Sequence, residues 1–598
     1  MIMKKILILI VSILLVSCND DYLDQVPDDR LTFDETFSRR NTVRQYLANI
    51  YSRIPDEHSQ RYVGAGAGPW TAASDEADYT WSGNWANSLN IGDWNPTSQN
   101  VSNIWSSFYR GIRAASTFIQ NVESCQDCTD SDILQYRAEA RALRAFFYYN
   151  LIRSWGPVIL LGEDPIPADA DLSELNRNTM QECVEYIVSE LDIAANNLSD
   201  FPYDGQNAGK MSRPYSLALK EKVLLLNASP LFNGNTAYSD MVDAEGTPLV
   251  SQSADASKWQ RAADAAKDFI DEFVPGTFSL YRENDANGTY SPYLSTRNVM
   301  ITDWNEEIIF ARPRGSSYFF YDVTPFHAQY PQEVKGGGAL SATQEMVDAY
   351  FMANGLSIDD PNSGYQEDGF SDFQSPYDIQ QRTTYNQWVN REPRFYVGIT
   401  YNNSLWLNRN FGNVVTETWY NGNSGRAVGG NDYSSTGYVV RKNATTDIWW
   451  NTAYAVPMLR LAEIYLDYAE ALNEADPGNP DILTYLNEIR NRAGIPEYGP
   501  GGIDVPGTQA EMREAIHKER RVELAFENVR YFDVRRWKEA EDSFNGATHG
   551  LDINSPQLDN FYTEVIFENR VFTERHYLWP IPQDEINANP ALIQNTGW

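Results

Sequence analysis

Apolar residues recur at helical spacing through two long stretches of the chain, and the stretch between them has no sustained period. Blocks at 102–123, 133–154, 179–197, 216–232 and 258–273 each predict a helix with one apolar face. In the second block Leu143, Phe146, Phe147 and Leu151 share a broad face, and Trp155-Gly156-Pro157 supplies the stop. From about 275 to 451 the chain turns to Gly, Asn, Ser and aromatic residues, with turn signals at Asn287-Gly288, Gly336-Gly337-Gly338 and Gly429-Gly430-Asn431-Asp432. Helical periodicity resumes at Pro457 and holds to about Trp537, broken at 476–480 and 498–507. The pattern predicts a mainly α fold. Antiparallel helix pairs at 19–274 and 452–598 pack as a tetratricopeptide-like superhelical scaffold, which carries a loop-rich insert at 275–451 within one domain, 18–598. No clean repeat of roughly 34 residues is visible, so the repetition lies in packing rather than in sequence.

The first residues stand apart. Lys4 and Lys5 precede an apolar run from Ile6 to Val16, and Leu15-Val16-Ser17-Cys18 resembles the lipobox at which bacterial lipoproteins are cleaved and acylated. Residues 1–17 therefore read as a signal peptide, too short for a membrane span, and Cys18 as the lipidated anchor. An ordinary secretory signal cut at another position is the alternative. The acidic Asn19-Asp20-Asp21 resembles the signals that sort lipoproteins of the Bacteroidetes to the cell surface.

Charge narrows the partners. The 598 residues carry a formal charge of −35, which becomes −37 when Lys4 and Lys5 leave with the signal peptide, and no run of Lys or Arg forms a basic patch. Nucleic acid and anionic headgroups are unsuited to such a chain. Cys125-Gln126-Asp127-Cys128 has CxxC spacing but no second ligand pair for zinc and no βαβ setting for redox chemistry. It reads as a local disulfide or two inert thiols, and Cys183 reads as core. No His-Glu-x-x-His, Gly-x-Ser-x-Gly or phosphate loop occurs, and the five histidines are dispersed. Asp359-Asp360-Pro361-Asn362-Ser363-Gly364 offers oxygen ligands, but Tyr365 and Ser371 stand where a calcium loop starting at Asp360 requires Gly and Glu. Neither a metal nor a cofactor is expected. Two distant carboxylates able to cleave a glycosidic bond would leave no local signature.

Aromatic density marks the candidate binding residues. Trp70, Trp81, Trp85 and Trp94 fall within 25 residues, whereas 16 tryptophans in 598 residues average one in about 37. They sit in polar, turn-prone sequence, where flat rings beside amides and carboxylates suit the apolar face and hydroxyls of a sugar. Trp81 and Trp85, four residues apart around Ser82-Gly83-Asn84, are expected to form the platform. Asn84 and Asp75 supply hydrogen bonds, and Trp304 or Trp406 closes the far side. Trp388, Trp419 and Tyr420 are further candidates in the insert, and Arg394 is a minor one.

Five separated stretches together carry a family resemblance: 24–51; 138–157, with Ala138-Glu139-Ala140-Arg141-Ala142-Leu143-Arg144 and Trp155-Gly156-Pro157; 459–472 with 486–494; 519–527 with Arg530-Tyr531-Phe532-Asp533-Val534-Arg535-Arg536-Trp537; and Leu578-Trp579-Pro580-Ile581-Pro582 running to Trp598. In this order they resemble the SusD/RagB family of outer-membrane nutrient-binding lipoproteins. The chain departs from the pattern at Asn528, where the family generally has Gly; Asn is expected to take the same left-handed turn. The charged motif residues Glu463, Glu470, Glu519, Glu523, Arg520, Arg521, Arg535 and Arg536 are expected to pair between helices, and Trp579 and Trp598 to tie the tail to the body. The resemblance implies ligand-contacting aromatics on loops above a helical scaffold. It further implies a non-catalytic surface receptor that hands oligosaccharide to a SusC-like TonB-dependent transporter. A RagB-like peptide receptor, and more remotely a polysaccharide-degrading enzyme, are the alternatives.

Overall fold

The computed structural model describes residues 32–61, 68–164, 173, 175–200, 207–243, 245–452 and 454–598. Residues 1–31, and with them the signal peptide and Cys18, lie outside the described residues. No helix among those described is long and apolar enough to cross a membrane.

Helices α1 (Phe33–Ser38) and α2 (Arg40–Tyr51) lead into a stack of α4 (Gln99–Asn121), α5 (Asp130–Trp155), α6 (Met180–Ala195), α7 (Arg213–Ala228) and α8 (Ser257–Phe273), with the short α3 (Trp85–Asn90) before it. Each stack member packs on the next, and α8 passes the stack on to α10 (Leu461–Ala475), which in turn packs on α11 (Pro480–Ala493) and α12 (Gln509–Glu523). This is the expected helical scaffold. Local chemistry sets the helix ends. Thr129, Thr179 and Thr508 form capping boxes with Asp132, Glu182 and Glu511, each closing two otherwise orphaned amide groups. Gly494 closes α11 in the left-handed conformation at φ 76°.

The insert forms no long element. It holds helices of four to seven residues, among them α9 (Ser317–Val323), and strands in two-stranded antiparallel pairs. Two of these pairs join distant parts of the chain. Ala77–Tyr79 pairs with Leu340–Ala342, and Ile308–Arg312 with Val456–Arg460, so residues 456–460 are a strand where the sequence pattern predicted helix. A single buried apolar cluster reaches from Phe37 to Leu592 and takes in the helices and the insert alike.

Charged motif residues hold α10, α11, α12 and α13 (Arg530–Arg536) together. Arg520, fully buried, reaches Asp467 and Asp533, and Glu519 meets Arg490 at 2.8 Å. Glu523 takes Arg460 at 2.7 Å, Arg394 at 3.0 Å and Arg492; burial works against its charge, but this crowd of cations holds the carboxyl below its ordinary value. Arg394 is thus committed to the scaffold rather than to a ligand. Arg535 departs from the expected pairing: its guanidinium donates to the carbonyls of Tyr577 and Ser154 and so fastens the C-terminal tail. Asn528 takes the left-handed turn, at φ 66°. Cys125 and Cys128 are bridged, which withdraws both thiolates from metal binding, and Cys183 is buried core.

Candidate functional site

The expected tryptophan platform is for the most part core. Trp579, fully buried, is the hub: Trp70, Trp85 and Trp94 lie with ring centroids 5.7, 5.5 and 5.4 Å from it, and each is buried. Trp598 adds a ring 4.9 Å from Trp94 and donates its indole N–H to Leu578 O at 2.8 Å. The tail docks on these tryptophans, as the terminal aromatics suggested, and in doing so covers them. Trp85 opens α3, and Asn84 is its cap, accepting from the Ala86 amide at 2.9 Å while its Nδ2 donates to the carbonyls of Gln60 and Arg61. Asp75 is buried in a bidentate contact with Arg530 at 2.9 Å and a further one with Arg521. Burial alone would raise this carboxyl, but the two arginines hold it at about 2. Neither Asn84 nor Asp75 has a polar atom left for a sugar. Trp406 is buried beside Arg441, Trp388 is buried, and Trp304 packs half-buried on Ile308, Ala311 and Ala455.

Trp81 alone of the four clustered tryptophans remains partly exposed, and it belongs to a different group. The Ala77–Tyr79 strand and the bond from Thr80 N to Ala339 O carry it alongside α9. The three-residue spacing of α9 puts Tyr318 and Tyr321 on one outward face and turns Phe319, Phe320 and Val323 inward. Arg61 binds the group together. Its guanidinium carbon lies 4.4 Å from the Trp81 ring centroid and 5.2 Å from those of Tyr318 and Tyr321, within cation–π range of all three. Asp322, buried beneath, anchors Arg61 through an ion pair and accepts from the Tyr79 hydroxyl at 2.9 Å. Burial pushes the Asp322 carboxyl up to about 7, with Arg61 offsetting part of that rise.

The loop at 429–433 closes one side. Thr80 Oγ1 donates to Tyr433 O at 2.7 Å, the Trp81 indole N–H donates to Asn431 O at 3.0 Å, and the Tyr321 hydroxyl donates to Asp432 Oδ2 at 2.6 Å. Burial and the Asp432 carboxylate push the Tyr321 hydroxyl well above its ordinary value, so it stays a donor. At Gly337 a Cβ would stand 2.6 Å from Tyr321 and 3.2 Å from Trp81, so the central glycine of the run flagged in the sequence is required by the approach of these two rings. On the far side Trp449 meets Tyr321 edge-on at 5.0 Å, and Trp450 follows at 5.3 Å. Tyr318 and Trp450 are 47% and 41% exposed. The result is an open aromatic arc of Trp81, Tyr318, Tyr321, Trp449 and Trp450 with Arg61, Asn431 and Asp432 at hand. Open rings beside charged and amide groups can stack a sugar and hydrogen-bond its hydroxyls. Sequence reading singled out Trp81, which is half-buried, but missed its companions. The usable signals were the i, i+3 tyrosines in Tyr318-Phe319-Phe320-Tyr321 and the adjacent pair Trp449-Trp450.

Residues 305–598 match the model of the SusD family, and residues 21–223 a model described as starch-binding associating with outer membrane. A SusD-like protein of Bacteroides ovatus is 22% identical over 620 aligned positions, covering 98% of this chain and 97% of the relative. Among solved structures, BT4246 superposes with a TM-score of 0.80 at 24% identity, covering 94% of this chain and all of that one. A SusD-like carbohydrate binding protein from Bacteroides fragilis gives 0.67 at 19% identity, covering 93% of this chain and all of that one. These structures share the fold.

Proposed function

This chain belongs to the SusD family of carbohydrate-binding proteins, and from that premise we propose that it captures an oligosaccharide on the aromatic arc around Trp81. The carrying observation is the convergence of five rings and Arg61, from four separate stretches of chain, on one open surface. Clustered rings that reach the surface at Tyr318 and Trp450 mark a surface suited to a ligand. Tyr318 and Trp450 are the exposed rings, and Asn431 and Asp432 lie at the edge with amide and carboxylate groups.

The protein acts as a receptor without catalysis, anchored to the outer face of the outer membrane through Cys18. It hands its ligand to a SusC-like TonB-dependent barrel. A binding lipoprotein serves uptake only if a transporter receives the ligand, and tethering both in one membrane raises their effective concentration. Affinity electrophoresis against a polysaccharide panel, with Trp81→Ala and Trp450→Ala as controls, tests the arc; retention of every glycan by both variants would overturn it. Pull-down from outer membranes in mild detergent tests the partnership, and repeated recovery without a barrel would refute it. Reducing-sugar release from a bound glycan would contradict the non-catalytic reading.

A further inference from the structure

A concave site distinct from the arc shares none of its rings. A cleft of about 480 Å3 opens between α2 and the end of the strand Ile308–Arg312, within the size range of small-molecule sites. Its lining is unusual for this chain. In a protein with 82 acidic and 47 basic residues, Arg44, Lys210, Arg312 and Arg314 converge here against one carboxylate, Glu139. Glu139 is turned into the wall: it is 2% exposed, accepts from the Tyr51 hydroxyl at 2.8 Å and from Gln135 at 3.0 Å, and burial raises its pKa. Arg44 and Lys210 act on it from the cleft and offset part of that rise, so this one carboxylate faces four cations.

Those cations are only partly engaged by the fold, Arg312 also donating to Ile54 O at 3.3 Å. Arg44 and Arg314 are exposed and form no ion pair among the described residues. Lys210 leans on the neutral Asn207 side chain at 2.8 Å, and Arg312 meets Asp56 only at 3.5 Å. The rings of Tyr51 and Tyr136 and the apolar side chains of Leu47, Phe310 and Met458 complete the walls.

We propose that this cleft is a second saccharide site, selective for oligosaccharides that carry carboxylate or sulfate groups. The four cations supply the charge preference, and the tyrosine and aliphatic walls supply contact for sugar rings. The choice of a saccharide rests on the glycan-receptor reading above; the preference for an anion does not. The cleft and the arc are neighbours along the chain, since Arg314 and Tyr318 are four residues apart and so at most about 14 Å between Cα atoms.

The test uses the mature chain with Cys18→Ala and isothermal titration calorimetry. The probes are tri-galacturonic acid, a sulfated tetrasaccharide, a neutral oligosaccharide of equal length and an octaglutamate peptide. Binding of either anionic sugar is expected, weakening about tenfold or more when salt is raised from about 50 to 500 mM, because screening shortens the reach of exposed charges. Arg44→Gln combined with Arg314→Gln should weaken it by about tenfold, whereas Trp81→Ala and Trp450→Ala should leave it intact. The proposal is overturned if anionic sugars bind no better than the neutral one, if the double variant binds them unchanged, or if the arc variants abolish their binding. Tighter binding of octaglutamate would also overturn it, in favour of an acidic peptide. Loss of neutral-glycan binding in the arc variants bears on the first site alone.

Discussion

Arg61 lies over the indole of Trp81, 4.4 Å from the ring centroid, while its guanidinium is ion-paired to the buried Asp322. The arrangement converts a mobile side chain into a fixed wall. Tyr318 and Tyr321 approach the same cation from α9, so one arginine sets the relative positions of three rings that come from opposite ends of a 240-residue stretch. Asn84, expected to touch sugar, is buried and instead donates its Nδ2 to the Arg61 carbonyl at 3.2 Å, supporting the arc from behind.

Exposed and buried tryptophans should separate cleanly on mutation. Trp450→Ala and Tyr318→Ala remove exposed rings and are expected to weaken glycan binding by roughly 30-fold, about 2 kcal/mol, with melting temperature near wild type. Trp85→Ala opens a cavity beside Trp579 and is expected to cost about 3–5 kcal/mol of stability. Thermal melts and calorimetry on the same samples check both. A Trp85→Ala protein as stable as wild type would mean the tail does not dock as described.

Replacing Arg61 should have a pH-dependent effect. Burial raises the Asp322 pKa to about 7 with Arg61 holding it down, so Arg61→Ala raises it further, and above pH 7 the variant must keep a proton or bury a charge that wild type pairs. Below it, the carboxyl keeps its proton and the loss is milder. The variant is expected to lose more melting temperature at pH 8.5 than at pH 5.5, and equal losses at both would refute the assignment.

Glu76 provides a second pH test. Burial and the neighbouring Asp75 carboxylate push its pKa from the ordinary 4.5 up to about 8, and its Oε2 has no hydrogen-bond partner. The folded chain therefore holds a proton that the unfolded chain releases. This contribution is fully present below about pH 4.5 and is lost as pH rises through 8. Glu76→Gln does not titrate, so its melting temperature should fall less between pH 5 and pH 9 than that of wild type. An unchanged slope would show that Glu76 ionises normally.

Cys18→Ala is expected to move the protein from the membrane fraction to the soluble one, because Cys18 alone is read as the lipid anchor. Fractionation followed by immunoblotting reads the result. Complete retention in the membrane would rule out the lipoprotein reading.

The arrangement of helices was legible because it is written locally. A helix needs apolar residues on one face and a cap at its end, and both lie within a few positions of each other, so α4 to α8 and α10 to α12 appear close to where periodicity puts them. The same holds for the left-handed turn at Asn528 and the stop at Gly156, where a single residue type decides the backbone. The charged residues of α12 could be read as scaffold because helical spacing directs them inward against neighbouring helices.

Exposure of an aromatic ring in turn-rich sequence is decided elsewhere. Trp70, Trp85 and Trp94 have the local surroundings of a binding loop, yet Trp579, nearly 500 residues on, packs on all three, whereas Trp81 in the same stretch meets Arg61 and α9 and stays partly exposed. Likewise Arg44 and Arg314 are unremarkable in the chain and become one cationic wall only when strand Ile308–Arg312 is laid near α2. Sequence spacing determined which side chains share a helix face, because that follows from the geometry of the backbone. Only the tertiary structure decided which faces are covered, because burial depends on whatever distant segment the hydrophobic core draws in over them.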